Sequence, residues 1–182
     1  MTTDTVYEIQ YISGGRYYHF GVVKKIKHSL DCDILLRSHS TINVQLNIDG
    51  LPLFKSTNEQ FWPILGLLMQ IKTREPFPIG LFCGNAKPKK PAEFLHDVVD
   101  ELVVLQNEGL AYNDGFYKVT ISSVICDTPA RAYVNQVKSH SGYLGCDKCT
   151  QEGVYNKKMT FPDTNATLRT DESFSLLADE VT

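Results

Sequence analysis

The chain has 182 residues, enough for one domain or one domain with an appendage, and long enough to bury a proper core. Its 42% hydrophobic and 21% charged residues are the balance of a globular protein and exclude a disordered or fibrous one. A net charge of −3 argues against a free-standing basic nucleic-acid module, and five scattered cysteines, an odd number, argue against a disulfide framework.

No segment approaches the ~18 uninterrupted apolar residues of a membrane span. The start Met-Thr-Thr-Asp-Thr carries no secretory apolar stretch. The expected compartment is therefore the nucleus or cytoplasm, with no secretion and no membrane partner. Two local clusters are basic. Arg16, Lys24, Lys25 and Lys27 are interleaved with Tyr17, Tyr18, Phe20 and two histidines, and Lys72, Arg74, Lys87, Lys89 and Lys90 face a single Glu75. Either cluster can track a phosphate backbone or be a solvated face.

In chain order, residues 1–40 read as an irregular, basic segment containing Gly14-Gly15 and a stretch from Phe20 to Leu30 that suits a strand or a helix. Val44, Leu46 and Ile48 then alternate with polar neighbours, which predicts a half-buried strand over 43–48. It ends at Asp49-Gly50. Residues 61–69 form a continuous apolar run and predict a second strand, and residues 77–83 a third, whose Pro78 favours a strand start or an edge. Pro91 opens a helix with Leu95, Val98, Val99 and Leu102 at helical spacing and Glu93, Asp97, Asp100 and Glu101 on the other side. Gly109 stops it. After Asn113-Asp114-Gly115, residues 117–126 predict a fourth strand, running into Asp127.

Asp49 and Asp127 thus both follow apolar, strand-like runs. Two carboxylates at strand ends suit a divalent-metal site for phosphoryl transfer, because hard cations prefer oxygen ligands. The plainer alternative is that Asp49 makes a turn and Asp127 caps a helix. Three antiparallel strands, a crossover helix and a fourth strand is the element order of the α/β ribonuclease H-like fold. There the first and fourth strands are parallel neighbours, so the two aspartates are expected to converge.

Several stretches resemble transposase-derived proteins of insects and other animals, and more distantly the CACTA-type DDE transposases. They are Asp49-Gly50-Leu51-Pro52-Leu53-Phe54-Lys55-Ser56, Gln60-Phe61-Trp62-Pro63-Ile64-Leu65, and Ile125-Cys126-Asp127-Thr128-Pro129-Ala130-Arg131. Gly142-Tyr143-Leu144-Gly145-Cys146-Asp147-Lys148-Cys149 and Leu168-Arg169-Thr170-Asp171-Glu172-Ser173-Phe174 complete the set. The resemblance spans roughly residues 15–175. It implies a metal-dependent enzyme of DNA cleavage and strand transfer, with DNA as partner, Mg²⁺ or Mn²⁺ as cofactor, and a homo-oligomer in a full-length transposase. It also assigns roles: Asp49 the first metal ligand, Asp127 the second, and a third acid on a later helix. Asp171, Glu172 and Glu180 are the candidates, and none sits in a convincing predicted core helix. The expectation is an incomplete catalytic core, truncated at its C-terminal end and inactive alone, or a domesticated DNA- or protein-binding scaffold.

Cys146-x-x-Cys149 can grip Zn²⁺, but a structural site needs four ligands, and His140 is the nearest third candidate. An incomplete zinc half-site and reduced surface thiols both remain open. Trp62, Phe61 and Phe54 read as core, and His19, His28 and His39 as surface. From the first turn of the expected following helix, Arg131 can approach a DNA phosphate, pair with Asp127 or face solvent. The expected organisation is a basic segment over 1–40, a partial ribonuclease H-like core over 41–138, and a Cys-x-x-Cys segment opening an insertion or tail over 139–182.

Overall fold

The computed structural model of the chain describes residues 8–54, 56–139 and 141–178. They belong to two compact units, Met1–Ile125 and Cys126–Thr182. The first unit opens with β1 (Gln10–Ile12) and β2 (Gly15–His19), followed by helices α1 (Val22–Cys32) and α2 (Ile34–Arg37). Strands β3 (Thr41–Ile48), β4 (Leu51–Pro52), β5 (Gln60–Leu68) and β6 (Phe77–Gly84) come next. Helix α3 (Pro91–Glu108) then leads to β7 (Leu110–Tyr112) and β8 (Gly115–Ile125).

These strands form one mixed sheet in the order β1-β2-β6-β5-β3-β8-β7, with β4 added to β5. The fold class is mixed α/β. Only the β3–β8 pair is parallel among the described pairings, and a parallel neighbour requires the chain to cross over the sheet. Helix α3 makes that crossing. Strand β3 forms where expected because its alternation is strict: Ile42, Val44, Leu46 and Ile48 are all buried, with half-exposed polar residues between them. Each such side chain contributes roughly 1.5–3 kcal/mol by leaving water. Pro78 is the second residue of β6, at a register shift against β5, so its missing N–H falls at a strand start.

Two expectations are corrected. Residues 10–37 are not irregular. The β1–β2 hairpin extends the sheet beside β6, and Phe20 to Leu30 falls mainly on α1. The buried stripe of α3 is also rotated from the predicted one: Phe94, Val98, Leu102 and Leu105 face the core, while Val99 is 48% exposed. Phe94 meets Tyr17 and Phe82 edge-on, with ring centroids 6.0 and 6.1 Å apart, and this cluster joins α3 to β2 and β6.

Both corrections have one cause. Three acids of α3, Glu93, Asp97 and Glu101, form a row that clasps the N-terminal segment, while Asp100 stays exposed beside His96. The Glu93 carboxylate accepts from the Ser13 hydroxyl at 3.0 Å, and Asp97 accepts from the Gln10 amide at 2.8 Å. Glu101 accepts the Val22 and Val23 N–H groups at 2.8 and 2.9 Å and lies 3.1 Å from His19 Nε2. Helix α1 begins after Gly21, which has no side chain to cap it, so Glu101 does the capping from another helix. Gly21 itself sits at φ 84°, a turn that a side chain strains.

Burial pushes the Glu101 carboxyl up, but the His19 hydrogen bond, the two N–H groups and the His19 charge outweigh it, and the pKa is lowered. A carboxyl lowered on folding adds stability that is fully present above its unfolded pKa of ~4.3 and lost as pH falls through the folded value. Glu101→Ala should cost about 1–3 kcal/mol near neutral pH, read as a lower urea midpoint, because it strands two helix N–H groups. Glu101→Gln should flatten the acid limb of stability against pH. An unchanged limb would show that the carboxylate charge does not hold this corner.

Candidate functional site

Asp49 follows the last residue of β3 and interrupts its pairing with β5. The register runs on across it: Ile48 pairs with Ile64, and Leu51 with Phe61. Asp49 and Gly50 therefore stand opposite Pro63 and Trp62, and Pro63 has no N–H to add to the ladder. The Trp62 indole lies against Gly50 so closely that a Cβ there would come within 2.7 Å of the ring. Trp62 is buried as expected, and its N–H donates to Gln60 at 3.2 Å. Phe54, by contrast, is 59% exposed and not core. The half-exposed Asp49 carboxylate accepts the Gly50 N–H at 2.7 Å, the turn role that the plainer reading assigns it.

The polar side of β3 continues onto β8. Thr120 donates to Asn43 at 2.6 Å, Gln45 to Ser123 at 2.7 Å, and Asn47 to the Ile125 carbonyl at 3.2 Å. One residue breaks the count. Val44 pairs with Ile121 and Gln45 with Ser123, so Ser122 is an inserted bulge residue whose hydroxyl donates to the Val44 carbonyl at 3.2 Å. From there Leu46 pairs with Val124 and Asn47 with Ile125, the last pair of the ladder. The sequence reading missed this bulge, although two successive serines within an alternating run were its signal.

The second unit opens with Cys126 and Asp127. Asp127 is the N-cap of α4 (Thr128–Val134), accepting the Ala130 N–H at 2.7 Å. Arg131 pairs with Asp147 at 2.5 Å, a partner outside the three expected for it. A hairpin of β9 (Val154–Asn156) and β10 (Lys158–Thr160) and helix α5 (Asp171–Ala178) follow. Thr170 and Ser173 exchange hydrogen bonds of 2.8 and 3.2 Å across the start of α5. Asp171 and Glu172 occupy the exposed first turn of that helix, where acids complement its dipole. Glu180 and His140 lie outside the described residues.

Cys146 and Cys149 are brought together, with their sulfurs 3.2 Å apart. The loop between them is held by backbone pairing of Cys149 with Leu168 and by Arg169, which donates to the Cys146 carbonyl at 2.9 Å. Cys149 is buried, and the Gln151 amide donates to its sulfur at 3.1 Å. That bond, the Gln151 backbone N–H and the Cys146 thiol lower the Cys149 pKa.

Among the described residues, no group of three or more His, Cys, Asp or Glu is placed to hold one metal ion. Asp49 and Asp127 are oxygen donors of the type Mg²⁺ or Mn²⁺ takes, and the two thiols are half of a tetrahedral zinc set. Of the expected surface histidines, His28 and His39 are exposed, whereas His19 is half-buried between the Tyr17 hydroxyl and Glu101. No described helix is long and apolar enough to cross a membrane. No protein-family model and no curated protein matches the chain.

Because Gln151 is the first cause of the lowered Cys149 pKa, Gln151→Ala should raise it. The pH profile of thiolate ultraviolet absorbance, taken beside Cys149→Ser to assign the signal, reads this directly. A profile unmoved by Gln151→Ala would remove the amide from the account.

Proposed function

We propose that the chain is a catalytic-core fragment of a DDE-type DNA transposase with a ribonuclease H-like sheet, and that Asp49 and Asp127 are two of its metal ligands. The observation that carries this reading is the run of neighbours β6-β5-β3-β8, with β3 and β8 parallel across the α3 crossover. Taken as the third, second, first and fourth core strands, this is the order that brings the ends of the first and fourth strands side by side. The motif resemblance from Asp49 to Phe174 adds to it.

The bulge supports the choice of aspartates. Counted along the sequence, Asp49 stands two residues beyond Asn47, the last paired residue of β3, and Asp127 two residues beyond Ile125, the last of β8. Without the insertion of Ser122, that count reaches Cys126 instead, a thiol poorly suited to a hard cation. The turn and cap bonds each use one carboxylate oxygen, and a carboxylate has two with which to accept. In two-metal enzymes the bound cation supplies a polarised nucleophile and a stabilised leaving oxygen. Asp49 and Asp127 would hold it. Asp171 and Glu172 stand in the exposed first turn of α5, and the third acid is read as missing from this chain. Cys146 and Cys149 are read as half of a zinc site. The isolated chain is accordingly expected to bind DNA weakly, with affinity falling steeply in salt, and not to cut it.

Binding of a cation at about ten times its Kd adds roughly 1.4 kcal/mol, or about 3–6 °C in a chain of this size. Mg²⁺ or Mn²⁺ should raise the melting temperature of the wild type by that amount, and Asp49→Asn should abolish the rise. Equal shifts in both proteins would favour a scaffold without a metal site. The chain should also fail to nick a supercoiled plasmid with either metal. Metal-dependent nicking that disappears in Asp127→Asn would instead place the third ligand among Asp171, Glu172 and Glu180.

A further inference from the structure

A cleft of about 500 Å³ opens where β2 turns into α1, within the range of small-molecule sites. Its apolar wall is made by Tyr18, Phe20 and Phe77. Tyr18 and Phe20 stand edge to face, 4.5 Å between ring centroids, and Phe20 remains 40% exposed. The other side is made by Lys24, Lys25 and His28 of α1, and no acid is among the described lining residues. The buried side of α1 holds Val22, Ile26, Ser29 and Leu30, so these three basic residues lie on the helix's outer side. Lys25 Nζ sits 5.8 Å from the centre of the Phe77 ring, tying the cationic side to the aromatic one. Asp33 and Glu75 border an adjoining, smaller cleft of about 270 Å³.

Aromatic faces and amino groups at one concave site match a ligand with a flat ring at one end and an anion at the other. We propose that this cleft binds a nucleotide, its base against Tyr18 and Phe20 and its phosphate on Lys24 and Lys25. The anion is met by side chains rather than by the start of α1, because Glu101 already takes the Val22 and Val23 N–H groups. A base paired in a duplex presents no open face to such a wall, so the source is a free nucleotide or an unpaired strand. The site does not rest on the transposase reading. It lies on the β2–β6 side of the sheet, and β5 separates β6 from β3 and its Asp49 by roughly 10 Å of sheet.

The test measures the full chain binding a short, end-labelled oligothymidylate by fluorescence anisotropy. A chelator is present, so that no carboxylate-bound cation contributes and failure leaves the metal reading untouched. The oligothymidylate should bind about tenfold more tightly than an abasic strand of equal length, since each stacked base contributes on that order. Phe20→Ser should remove this preference while Phe20→Tyr keeps it. Lys24→Gln with Lys25→Gln should weaken both strands and lower the salt dependence. Displacement of the strand by thymidine monophosphate would identify a free nucleotide as sufficient, and failure to displace would identify the strand as the ligand. Equal affinity for the abasic strand, or a Phe20→Ser variant with native melting temperature and undiminished base preference, would overturn the proposal.

Discussion

The parallel pairing of β3 with β8 is the constraint on which the first unit depends. Parallel neighbours cannot be joined by a tight turn, so the chain between them must supply a long connection. Here that stretch contains β5, β6 and the whole of α3. Strand β3 is accordingly an interior strand of the sheet, its four buried aliphatic residues packed on one face and its asparagines and glutamine bonded to β8 on the other. A one-residue slip would turn every one of these side chains to the wrong face. Ser122 introduces such a slip deliberately, within one strand and beyond the point where Thr120 has fixed the register.

Seen this way, one sheet carries two separate chemistries. The β3 end offers carboxylate oxygens, which suit a hard cation. The β2–β6 side offers aromatic faces and amino groups, which suit a base and its phosphate. Neither depends on overall charge, and the net charge of −3 conceals how unevenly the charges are distributed. Glu93, Asp97 and Glu101 of α3 are spent on Ser13, Gln10 and the start of α1, while Lys24, Lys25 and Lys27 stand on α1.

Much of this was legible in the sequence, for identifiable reasons. Strands β3, β5, β6 and β8 and helix α3 announce themselves through local alternation, a proline at the first turn and a glycine at the end, all of which act between near neighbours. The N-terminal hairpin and α1 did not, because what holds them is remote: Glu101, Asp97 and Glu93 lie about 80 residues further on. The stripe of α3 was misplaced for the same reason, since Val99 is as apolar as Val98 and only the sheet decides which of them is covered. Phe54 shows the limit of reading hydrophobicity alone, as its loop leaves it exposed. The approach of Cys146 to Cys149 follows from spacing. The backbone bridge from Cys149 to Leu168, 19 residues on, is not revealed by spacing.

The acidic row on α3 also orders events in time. During synthesis the segment from Gln10 to Cys32 emerges well before the helix that caps it and completes the wall behind Tyr17. At ~5–20 residues per second, the ~80 residues between them take roughly 4–16 s. Throughout that interval Val22, Ile26 and Leu30 have no core to enter, and α1 lacks its cap. This N-terminal hairpin and α1 are thus made well before the carboxylate that caps them.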